Sequence, residues 1–488
     1  MIQQLDSNAD WDVCIIGGGA TGLGTALDAA SRGLRTILFE QHDLAKGTSS
    51  RSTKLVHGGV RYLQQGNIKL VMEALKERGL LLKNAPHLVH NQQFVVPNYK
   101  WWEKPFYGIG LKIYDKMAGK LGLGPSQFLS KEETLKLAPT LDPTGLKGGV
   151  MYHDGQFDDA RLAISIAQTA ARQGAVILNY FPVAGLLKMN QQVCGVWVKD
   201  AFTSMEYEVK SKVVINATGV FTDSIMKMDD AKHKNIISPS QGIHLVVDRS
   251  FLPGDTAIMI PRTDDGRVLF AVPWHNKIVL GTTDTAVDKI SEEPVPQQLE
   301  IEFILKHIGR YLSKDPGLDD VKSMFAGLRP LVKAKSKNTA ALSRDHLINV
   351  ADSGLITITG GKWTTYRRMA EDVIDIAIEK NGLTAKPCST RELSLTTEYS
   401  SSPLVEITHL NHVELVELIK RSVEEELCMT IEDFLSRRTR QLLLDAKIAL
   451  NKAPLVAGLM AKELGKNDNW ATEQITNFNK LAENYLPH

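Results

Sequence analysis

The sequence predicts an α/β protein in which a Rossmann-like nucleotide-binding domain carries an inserted antiparallel-sheet domain and is followed by a helical C-terminal domain. Three observations predict this architecture. A strand, a glycine-rich turn and a helix open the chain, alternating apolar strands fill residues 236–335, and a charged helical pattern follows a polar, proline-bounded linker at 397–403. Because an apolar strand and a helix return near residue 354, we expect the first domain to resume after the insertion.

The predicted domain boundaries follow these changes of pattern. Residues 66–98 and 110–138 are predicted to be mainly helical, and Ser130 with Glu133 has the spacing of a capping box. A hairpin turn is predicted at His275-Asn276. We therefore expect a discontinuous nucleotide-binding domain (1–65, 140–235 and 336–396), a helical excursion (66–139), an inserted sheet domain (236–335) and a C-terminal helical domain (397–488).

The composition is that of an ordinary globular protein. The 57 Lys and Arg residues balance 56 Asp and Glu, and this net charge of +1 gives no support to nucleic-acid binding by the chain as a whole. Residues 1–10 lack the features of a secretory signal and no apolar run reaches about 18 residues, so we expect a cytoplasmic protein that contacts a membrane only at its surface. Four cysteines without a CxxC motif exclude a zinc ribbon and predict free thiols: Cys14, Cys194, Cys388 and Cys428.

The first element is a complete strand–turn–helix–strand unit. Val13–Ile16 is continuously apolar, as in a strand buried on both faces, and Gly17-x-Gly19-x-x-Gly22 then opens a helix. The second strand ends in Glu40. Glycines at these positions let backbone N–H groups and the helix N-terminus approach a pyrophosphate, and the acidic residue can accept hydrogen bonds from a ribose. The unit predicts a bound dinucleotide.

The identity of that dinucleotide is not fixed by the fingerprint. The segments 108–114 and 122–127 contain glycines, but they lack the third glycine and the preceding strand. A single N-terminal fingerprint favours a flavoprotein over a flavin reductase that also docks NAD(P)H. A dehydrogenase with one NAD site stays open.

Three further segments have the chemistry to approach a phosphate or a flat ligand. Thr48-Ser49-Ser50 opens the polar stretch TSSRSTKLVHGGVRYL (48–63), and these hydroxyls can cap a helix start whose N–H groups are free for a ligand. VVINATGVFTD (213–223) and LITITGGKWTTYRRMAE (355–371) share an apolar strand, a Thr-Gly turn and a helix start. The alternative for each turn is a tight strand-to-helix connection without a ligand.

Six motifs together resemble FAD-dependent glycerol-3-phosphate dehydrogenases, of the D-amino-acid-oxidase-like flavoprotein superfamily. The resemblance covers about residues 10–395, and the motifs occur in the family's order: DVCIIGGGATGLG, TSSRSTKLVHGGVRYL, NATGVFTD, GLRPL, SRDH and TGGKWTTYRRMAE. It implies an FAD-binding domain, a substrate-binding sheet domain, and oxidation of sn-glycerol 3-phosphate to dihydroxyacetone phosphate with hydride transfer from C2 to flavin N5. Electrons would pass to a membrane quinone at the inner face of the cell membrane, and a homodimer stays open. Residues 421–446 also resemble the family's helical domain.

The resemblance also implies roles for particular residues. Arg329 and Arg344 would hold the substrate phosphate, although a surface ion pair with Asp345 is the alternative for Arg344. Either His57 or His244 could be the base, and we prefer His244. Arg61, Tyr62 and Lys362 would orient the hydroxyls and stabilise developing charge. The expected cofactor-binding residues are Gly17, Gly19, Gly22, Glu40, Thr48, Ser49, Ser50, Lys54, His57, Gly58, Gly59, Ala217, Gly219, Gly361, Lys362 and Thr364.

Two basic segments are interpreted separately. The segment 100–124 has five Lys against two acidic residues and interleaves them with aromatic residues, a pattern that suits lipid headgroups. Its alternative is a helical hairpin with a solvated Lys face. The RRTR cluster at 437–440 is expected to form a solvated helix face.

Three other functions stay open. A glycerol-3-phosphate oxidase would use the same site with oxygen, although no long mid-chain insertion of the oxidase type is present. Another member of the superfamily acting on an amine or a hydroxy acid would also use an arginine clamp. A non-catalytic flavin-binding sensor or scaffold is disfavoured by the paired arginines, the two histidines and Lys362.

Overall fold

The computed structural model describes residues 5, 10–60, 63, 66–333, 346–396 and 407–487. Its strands are β1 (Trp11–Ile16), β2 (Thr36–Phe39), β3 (Leu55–Val56), β4 (Val89–Asn98), β5 (Gln127–Leu129), β6 (Gly148–Phe157), β7 (Val176–Leu178), β8 (Val183–Met189), β9 (Gln192–Lys199), β10 (Glu206–Asn216), β11 (Ile237–Asp248), β12 (Ala257–Ile260), β13 (Leu269–Trp274), β14 (Lys277–Gly281), β15 (Thr285–Ala286), β16 (Val321–Val332), β17 (His346–Val350) and β18 (Ile356–Gly360).

The helices in the described part of the chain connect these strands and form the C-terminal region. They are α1 (Ala20–Ser31), α2 (Ile68–Asn84), α3 (Glu103–Ala118), α4 (Lys131–Leu137), α5 (Asp159–Arg172), α6 (Thr222–Asp229), α7 (Gln298–Gly309), α8 (Tyr366–Asn381), α9 (His412–Glu426), α10 (Ile431–Asp433), α11 (Gln441–Leu444), α12 (Ala446–Glu463) and α13 (Asp468–Glu483). The predicted capping box is present, because Glu133 N donates to Ser130 Oγ and Ser130 N donates to the Glu133 carboxylate.

The first sheet is the predicted Rossmann-like sheet. Its strand order is β17-β18-β10-β1-β2-β7, and the five strands from β18 to β7 are parallel. Every residue of β2 is buried, and so are five of the six residues of β1, because helices α1, α5 and α8 cover one face of these strands and apolar residues of β7, β9 and β10 pack with the other. The return of the chain at β18 after the inserted strands confirms the α/β architecture expected from the sequence.

The second sheet has ten strands, in the order β15-β11-β14-β13-β12-β4-β6-β3, with β16 and β5 paired at its sides. Six of these strands fall within 236–335, but β3, β4, β5 and β6 come from outside that range. The helical interpretation of 66–98 is therefore wrong for residues 89–98. Strand β4 pairs with β6 along its whole length and then with β12, and these distant partners outweigh the weak local pattern.

The C-terminal helices pack directly on the second sheet. Their apolar core includes Ile431 and Phe434, and it continues into Val246, Trp274 and Phe325 of the sheet. The expectation of a solvated RRTR face is wrong: Arg437, Arg438 and Arg440 are 2%, 1% and 0% exposed. Acidic residues from distant segments provide their counter-charges, which no local pattern could reveal.

Among the described residues, no helix is both long and apolar enough to cross a bilayer. No group of His, Cys, Asp and Glu side chains in the same residues is arranged to hold a metal ion.

Candidate active site

A cavity of about 470 Å³ lies at the carboxyl ends of the parallel strands. Its wall includes the residues that end β1, β2 and β18 and the residue that follows β10: Ile16, Phe39, Gly360 and Ala217. In open α/β sheets a ligand binds in the crevice outside the carboxyl ends of the strands. The position of the cavity therefore agrees with the dinucleotide site that the fingerprint predicts.

The glycine turn is shaped by contacts that admit no side chain. Gly17 has a φ of +111°, and a Cβ there would lie 2.7 Å from Ala217 O. A Cβ on Gly22 would lie 1.9 Å from Gly17 O, so this glycine allows the helix to pack against the turn without lining the cavity itself. Helix α1 therefore begins at the cavity wall, where its N-terminal N–H groups favour an anion.

Glu40 connects the turn to the next loop. Gly18 N donates to Glu40 Oε2 at 2.6 Å, and His42 N donates to Oε1 at 2.9 Å. Burial raises the pKa of the Glu40 carboxyl, while these two N–H donors oppose the rise. The carboxylate lines the cavity, and its contact with a ribose stays a prediction. A glycine turn, a helix N-terminus and this carboxylate form a cradle that fits a dinucleotide such as FAD.

The stretch 48–58 divides between the cavity and the protein interior. Thr48 and Ser49 line the cavity, and Ser49 Oγ accepts a hydrogen bond from Ala20 N at 2.9 Å. Ser50 does not line it; its carbonyl accepts from Lys54 Nζ at 2.6 Å. Lys54 is fully buried and its Nζ pairs with Asp159 at 2.7 Å, so its assignment to the cofactor is corrected.

The two glycines at 58 and 59 also differ from expectation. Gly58 N donates to Tyr114 Oη at 2.7 Å, and a Cβ on Gly58 would lie 2.5 Å from the same oxygen. This glycine therefore makes room for a protein side chain and does not line the cofactor cavity. Gly59 lines a second, neighbouring cavity. The contact with Tyr114 joins segments 56 residues apart, which explains why the sequence did not indicate it.

His57 lies where the two cavities meet. It lines both of them, and its backbone N donates to Thr364 Oγ1 at 3.3 Å. Gly361, Lys362 and Thr364 line the first cavity from the turn after β18. The structure thus brings together two predicted segments that are about 300 residues apart in the chain. Gly219 of the other predicted turn lines the same cavity.

His244 is a buried imidazole on β11. Its ring stacks on Phe325 with 4.9 Å between centroids, and Nε2 lies 2.8 Å from Thr53 Oγ1. Nδ1 is buried and has no hydrogen-bond partner among the described residues. Burial, followed by the charges of Lys54 and Arg329, lowers the pKa of His244 well below its ordinary value. The ring is therefore neutral near pH 7 and can accept a proton.

Arg329 lies at the junction of the two cavities. Its Nη2 donates to Thr283 O at 3.0 Å and to Thr282 Oγ1 at 3.2 Å, and its Nη1 lies 3.5 Å from Asp284 Oδ1. A Cβ on Gly242 would come within 2.3 Å of Nη2, so Gly242 provides the space for the guanidinium. The guanidinium is therefore oriented by residues 282–284, and Arg329 lines both cavities.

The second cavity has a volume of about 180 Å³. It shares four residues with the first cavity, namely Thr53, Leu55, His57 and Arg329. Its remaining wall combines apolar side chains, such as Phe94, Tyr152, Met259 and Phe270, with the charged residues Asp154, Arg267 and Asp284. A small anionic molecule at the shared wall would therefore contact both the arginine and the dinucleotide cavity.

The predicted site residues and the residues that line the cavity overlap only in part. Arg61, Tyr62 and Arg344, together with the linker at 397–403, lie outside the described residues. The lining residues missed by sequence reasoning include Thr53, Gly242, Trp363 and most of the 41–47 loop. Thr53 lies in the polar stretch at 48–63, which was a signal that could have been used. No signal in the sequence indicated Gly242, because this glycine makes room for the side chain of Arg329 on another strand.

Comparison with known proteins gives matches over nearly the whole chain. The family model described as FAD dependent oxidoreductase matches residues 12–367, and the C-terminal domain of alpha-glycerophosphate oxidase matches residues 390–471. The mitochondrial glycerol-3-phosphate dehydrogenase of Homo sapiens is 40% identical over 98% of this chain and 74% of the relative. The enzyme of Mesocricetus auratus is 41% identical over 94% of this chain and 71% of the relative.

Solved structures give a consistent result. The glycerol-3-phosphate dehydrogenase of Bacillus halodurans complexed with FAD superposes with a TM-score of 0.80 at 30% identity, covering 98% of this chain and 96% of that one. An L-alpha-glycerophosphate oxidase from Mycoplasma pneumoniae shares the fold, at 19% identity and a TM-score of 0.63, over 80% of this chain and 100% of that one. Fold and site define an oxidoreductase that uses FAD. Within that class, the chain belongs to the glycerol-3-phosphate dehydrogenase family.

Proposed function

We propose that this enzyme oxidises sn-glycerol 3-phosphate at C2 to dihydroxyacetone phosphate and passes the electrons to a membrane quinone. The observation that carries the proposal is that a neutral, buried His244 and the guanidinium of Arg329 both line the first cavity, with Arg329 at its junction with the second. The relatives named glycerol-3-phosphate dehydrogenase support the choice of substrate.

Arg329 would hold the substrate phosphate. A guanidinium offers paired N–H donors that match a phosphate, and such charge-assisted hydrogen bonds are stronger than neutral ones. Contacts with Thr282, Thr283 and Asp284 already hold this side chain, so it does not have to be ordered when the substrate binds. Arg344 would add a second cationic contact, as the family resemblance implies.

His244 would accept the proton of the C2 hydroxyl. Its low pKa keeps the ring neutral, and the Thr53 hydroxyl at Nε2 restricts its orientation. As the C2–H bond breaks, the C2–O bond becomes a carbonyl and the hydroxyl proton stays on the imidazole. Bound FAD supplies the acceptor for the hydride from C2. Lys362 would place a positive charge beside the cofactor, and His57 is the other residue that could act as the base.

Contact with a membrane is proposed through residues 100–124. Helix α3 buries Tyr107, Leu111 and Tyr114 against the protein, yet Phe106 and Ile109 on its other face are 54% and 60% exposed. The exposed face therefore presents apolar side chains beside the exposed Lys112 and Lys116, and it is not the face of solvated Lys alone that the alternative requires. An apolar face flanked by Lys side chains suits the boundary between headgroups and acyl chains, where a lipid-soluble quinone can be reached.

An anaerobic titration tests the proposed reaction. Adding glycerol 3-phosphate to the FAD-loaded enzyme should bleach the oxidised flavin spectrum, and a soluble quinone should restore it. If the spectrum remains that of the oxidised flavin, glycerol 3-phosphate is not the substrate. If oxygen rapidly restores the oxidised spectrum with release of peroxide, and the quinone does not restore it, the quinone is not the acceptor and the enzyme is an oxidase.

A further inference from the structure

A buried cluster of charges joins the C-terminal helices to the loop that follows Glu40. Asp43 in that loop has no exposed side-chain surface. Arg438 donates to both of its oxygens, Nη1 to Oδ2 at 2.7 Å and Nη2 to Oδ1 at 2.8 Å, while Arg437 Nε donates to Oδ2 at 2.5 Å. We name Asp43, Arg437 and Arg438 the arginine clamp.

The loop that carries Asp43 also forms part of the cofactor cavity. Gln41, His42, Ala45, Lys46 and Gly47 line the cavity, whereas Asp43 does not. Ala45 N donates to Gly18 O at 2.9 Å, so the loop is also tied to the glycine turn. One side of the loop therefore contacts the space for FAD, and the other side is held by the C-terminal helices.

The arginines are themselves fixed on the C-terminal side. Arg438 Nη2 donates to Glu426 O at 2.6 Å, and Arg437 Nη2 donates to Asp433 Oδ1 at 2.9 Å. Both arginines end the π-helical turn Phe434–Arg438, and such turns are frequent at functional sites. This turn directs two adjacent side chains at a single carboxylate.

A second connection runs closer to the surface. Lys46, which lines the cavity, pairs with Glu432 at 2.9 Å, and Glu432 Oε1 accepts from Arg437 Nη1 at 3.1 Å. A carboxylate on the C-terminal helices is therefore linked both to the clamp and to a residue that lines the cavity.

We propose that the arginine clamp is a positioning device by which the C-terminal helical region holds the 41–47 loop in the conformation that retains FAD. A buried carboxylate with two guanidinium partners has few alternative arrangements, because any separation leaves a charge buried without compensation. The clamp acts through the loop, and its residues do not line the cavity. This role requires only that FAD is bound and is independent of the substrate and the electron acceptor.

The test measures release of FAD from the folded holoenzyme. Flavin fluorescence is followed after dilution for the wild type, Asp43→Asn, Arg438→Gln and the double variant. Each single variant should release FAD about 10-fold faster, in the usual range of coupling energies. In the double variant an amide pair replaces the ion pair. Its release rate should rise by less than the product of the fold-increases measured for the two single variants. Arg310→Ala, which breaks an exposed ion pair with Asp264, is the control and should not change release.

A milder variant covers the case in which the buried substitutions prevent folding. Glu432→Gln weakens the contacts with Lys46 and Arg437 at a position that is partly exposed and outside the cavity wall. It should release FAD about 3-fold faster, because it loses part of the same coupling. The proposal is overturned if every folded variant, Glu432→Gln included, unfolds at a lower temperature but releases FAD at the wild-type rate. Such a result would make the cluster a purely structural contact.

Discussion

At the scale of single residues, the proposed chemistry depends on side chains whose environment differs from what their residue type suggests. His244 is a basic residue held neutral, because burial and two neighbouring cations all disfavour its protonated form. Lys54 is one of these cations, and it acts from inside the protein, where Asp159 compensates its charge. The electrostatics of the site therefore include residues that cannot touch a ligand.

Replacing His244 should slow the chemical step. His244→Gln keeps a polar side chain near Thr53 but removes the base, so single-turnover reduction of the flavin by glycerol 3-phosphate should slow about 100-fold. Because the pKa of His244 is depressed, the wild-type rate should fall only at pH values well below 6.5, and the variant should lose this acidic limb. A wild-type reduction rate in stopped-flow experiments would transfer the role to His57 or to water.

Replacing Arg329 should weaken substrate binding while FAD is retained. Arg329→Ala would remove the proposed charge-assisted hydrogen bonds to the phosphate, and KM should rise about 30-fold or more. Arg329→Lys keeps the charge without the paired donors and should recover part of the loss. Steady-state kinetics measure KM, the visible spectrum reports FAD occupancy, and Arg310→Ala is the matched control at an exposed arginine. An unchanged KM in Arg329→Ala would remove this residue from the phosphate site.

Sequence reasoning identified cavity residues where the signal is local. Gly17, Gly19 and Glu40 follow a fixed spacing after a buried strand, and all three line the cavity. It was wrong for Lys54 and Gly58, whose partners Asp159 and Tyr114 lie far along the chain. A polar stretch can thus be recognised as part of a site before the individual roles within it can be assigned.

At the scale of secondary-structure elements, packing decides which residues of helix α3 are buried and which are exposed. The segment contains both Lys and aromatic residues, and the sequence alone could not say which set faces outward. Tyr107, Leu111 and Tyr114 form the buried face, and this leaves Phe106 and Ile109 on the exposed face. The opposite outcome occurs at 437–440, where arginines expected on the surface are buried.

The exposed face of α3 should control membrane binding. The double substitution Phe106→Ser and Ile109→Ser removes apolar area from that face, so less protein should float with anionic vesicles in a density gradient. Met205→Ser, at another exposed apolar residue, is the control and should float like the wild type. If the α3 variant floats as well as the wild type, or if the wild type stays in the dense fraction, this helix does not bind lipid.

At the scale of the whole molecule, buried ion pairs hold the C-terminal helices to the nucleotide-binding domain. Besides the clamp, Arg161 Nη1 pairs with Glu426 at 2.5 Å and Arg440 Nε lies 3.0 Å from Asp158 Oδ2. The α/β fold class with a C-terminal helical region was predictable from the sequence, but this interface was not, because ion pairs between distant segments have no local pattern. The sharing of sheet strands between regions was missed for the same reason.

The interface should make stability depend on acidic pH. Although burial opposes the shift, Arg438 and Arg437 lower the pKa of Asp43 to about 2 from 3.8. A carboxyl group whose pKa is lower in the folded than in the unfolded protein stabilises the folded state. This stabilisation is complete above the pKa of the unfolded state, and it is lost as the pH falls through the pKa of the folded state. The free energy of unfolding should therefore decrease between about pH 4 and pH 2, and the part linked to Asp43 amounts to about 2 kcal/mol.

Urea unfolding of the wild type and Asp43→Asn at several pH values measures this contribution. The two free energies should differ most above about pH 4 and converge toward pH 2, since protonated Asp43 and the amide are both uncharged. If the difference between the two free energies of unfolding stays constant down to pH 2, protonation of Asp43 does not change the stability of the protein.

The neighbours of β1 also constrain the synthesis of the protein on the ribosome. Strand β1 pairs with β10, and β10 pairs with β18, so the cofactor cradle is complete only after residue 360 has emerged. The glycine turn is made early, but two walls of its cavity follow about 200 and 340 residues later. During translation the nascent chain therefore exposes unpaired edges of an apolar sheet, a condition that favours aggregation or capture by chaperones. FAD can then stabilise the first domain only near the end of its synthesis.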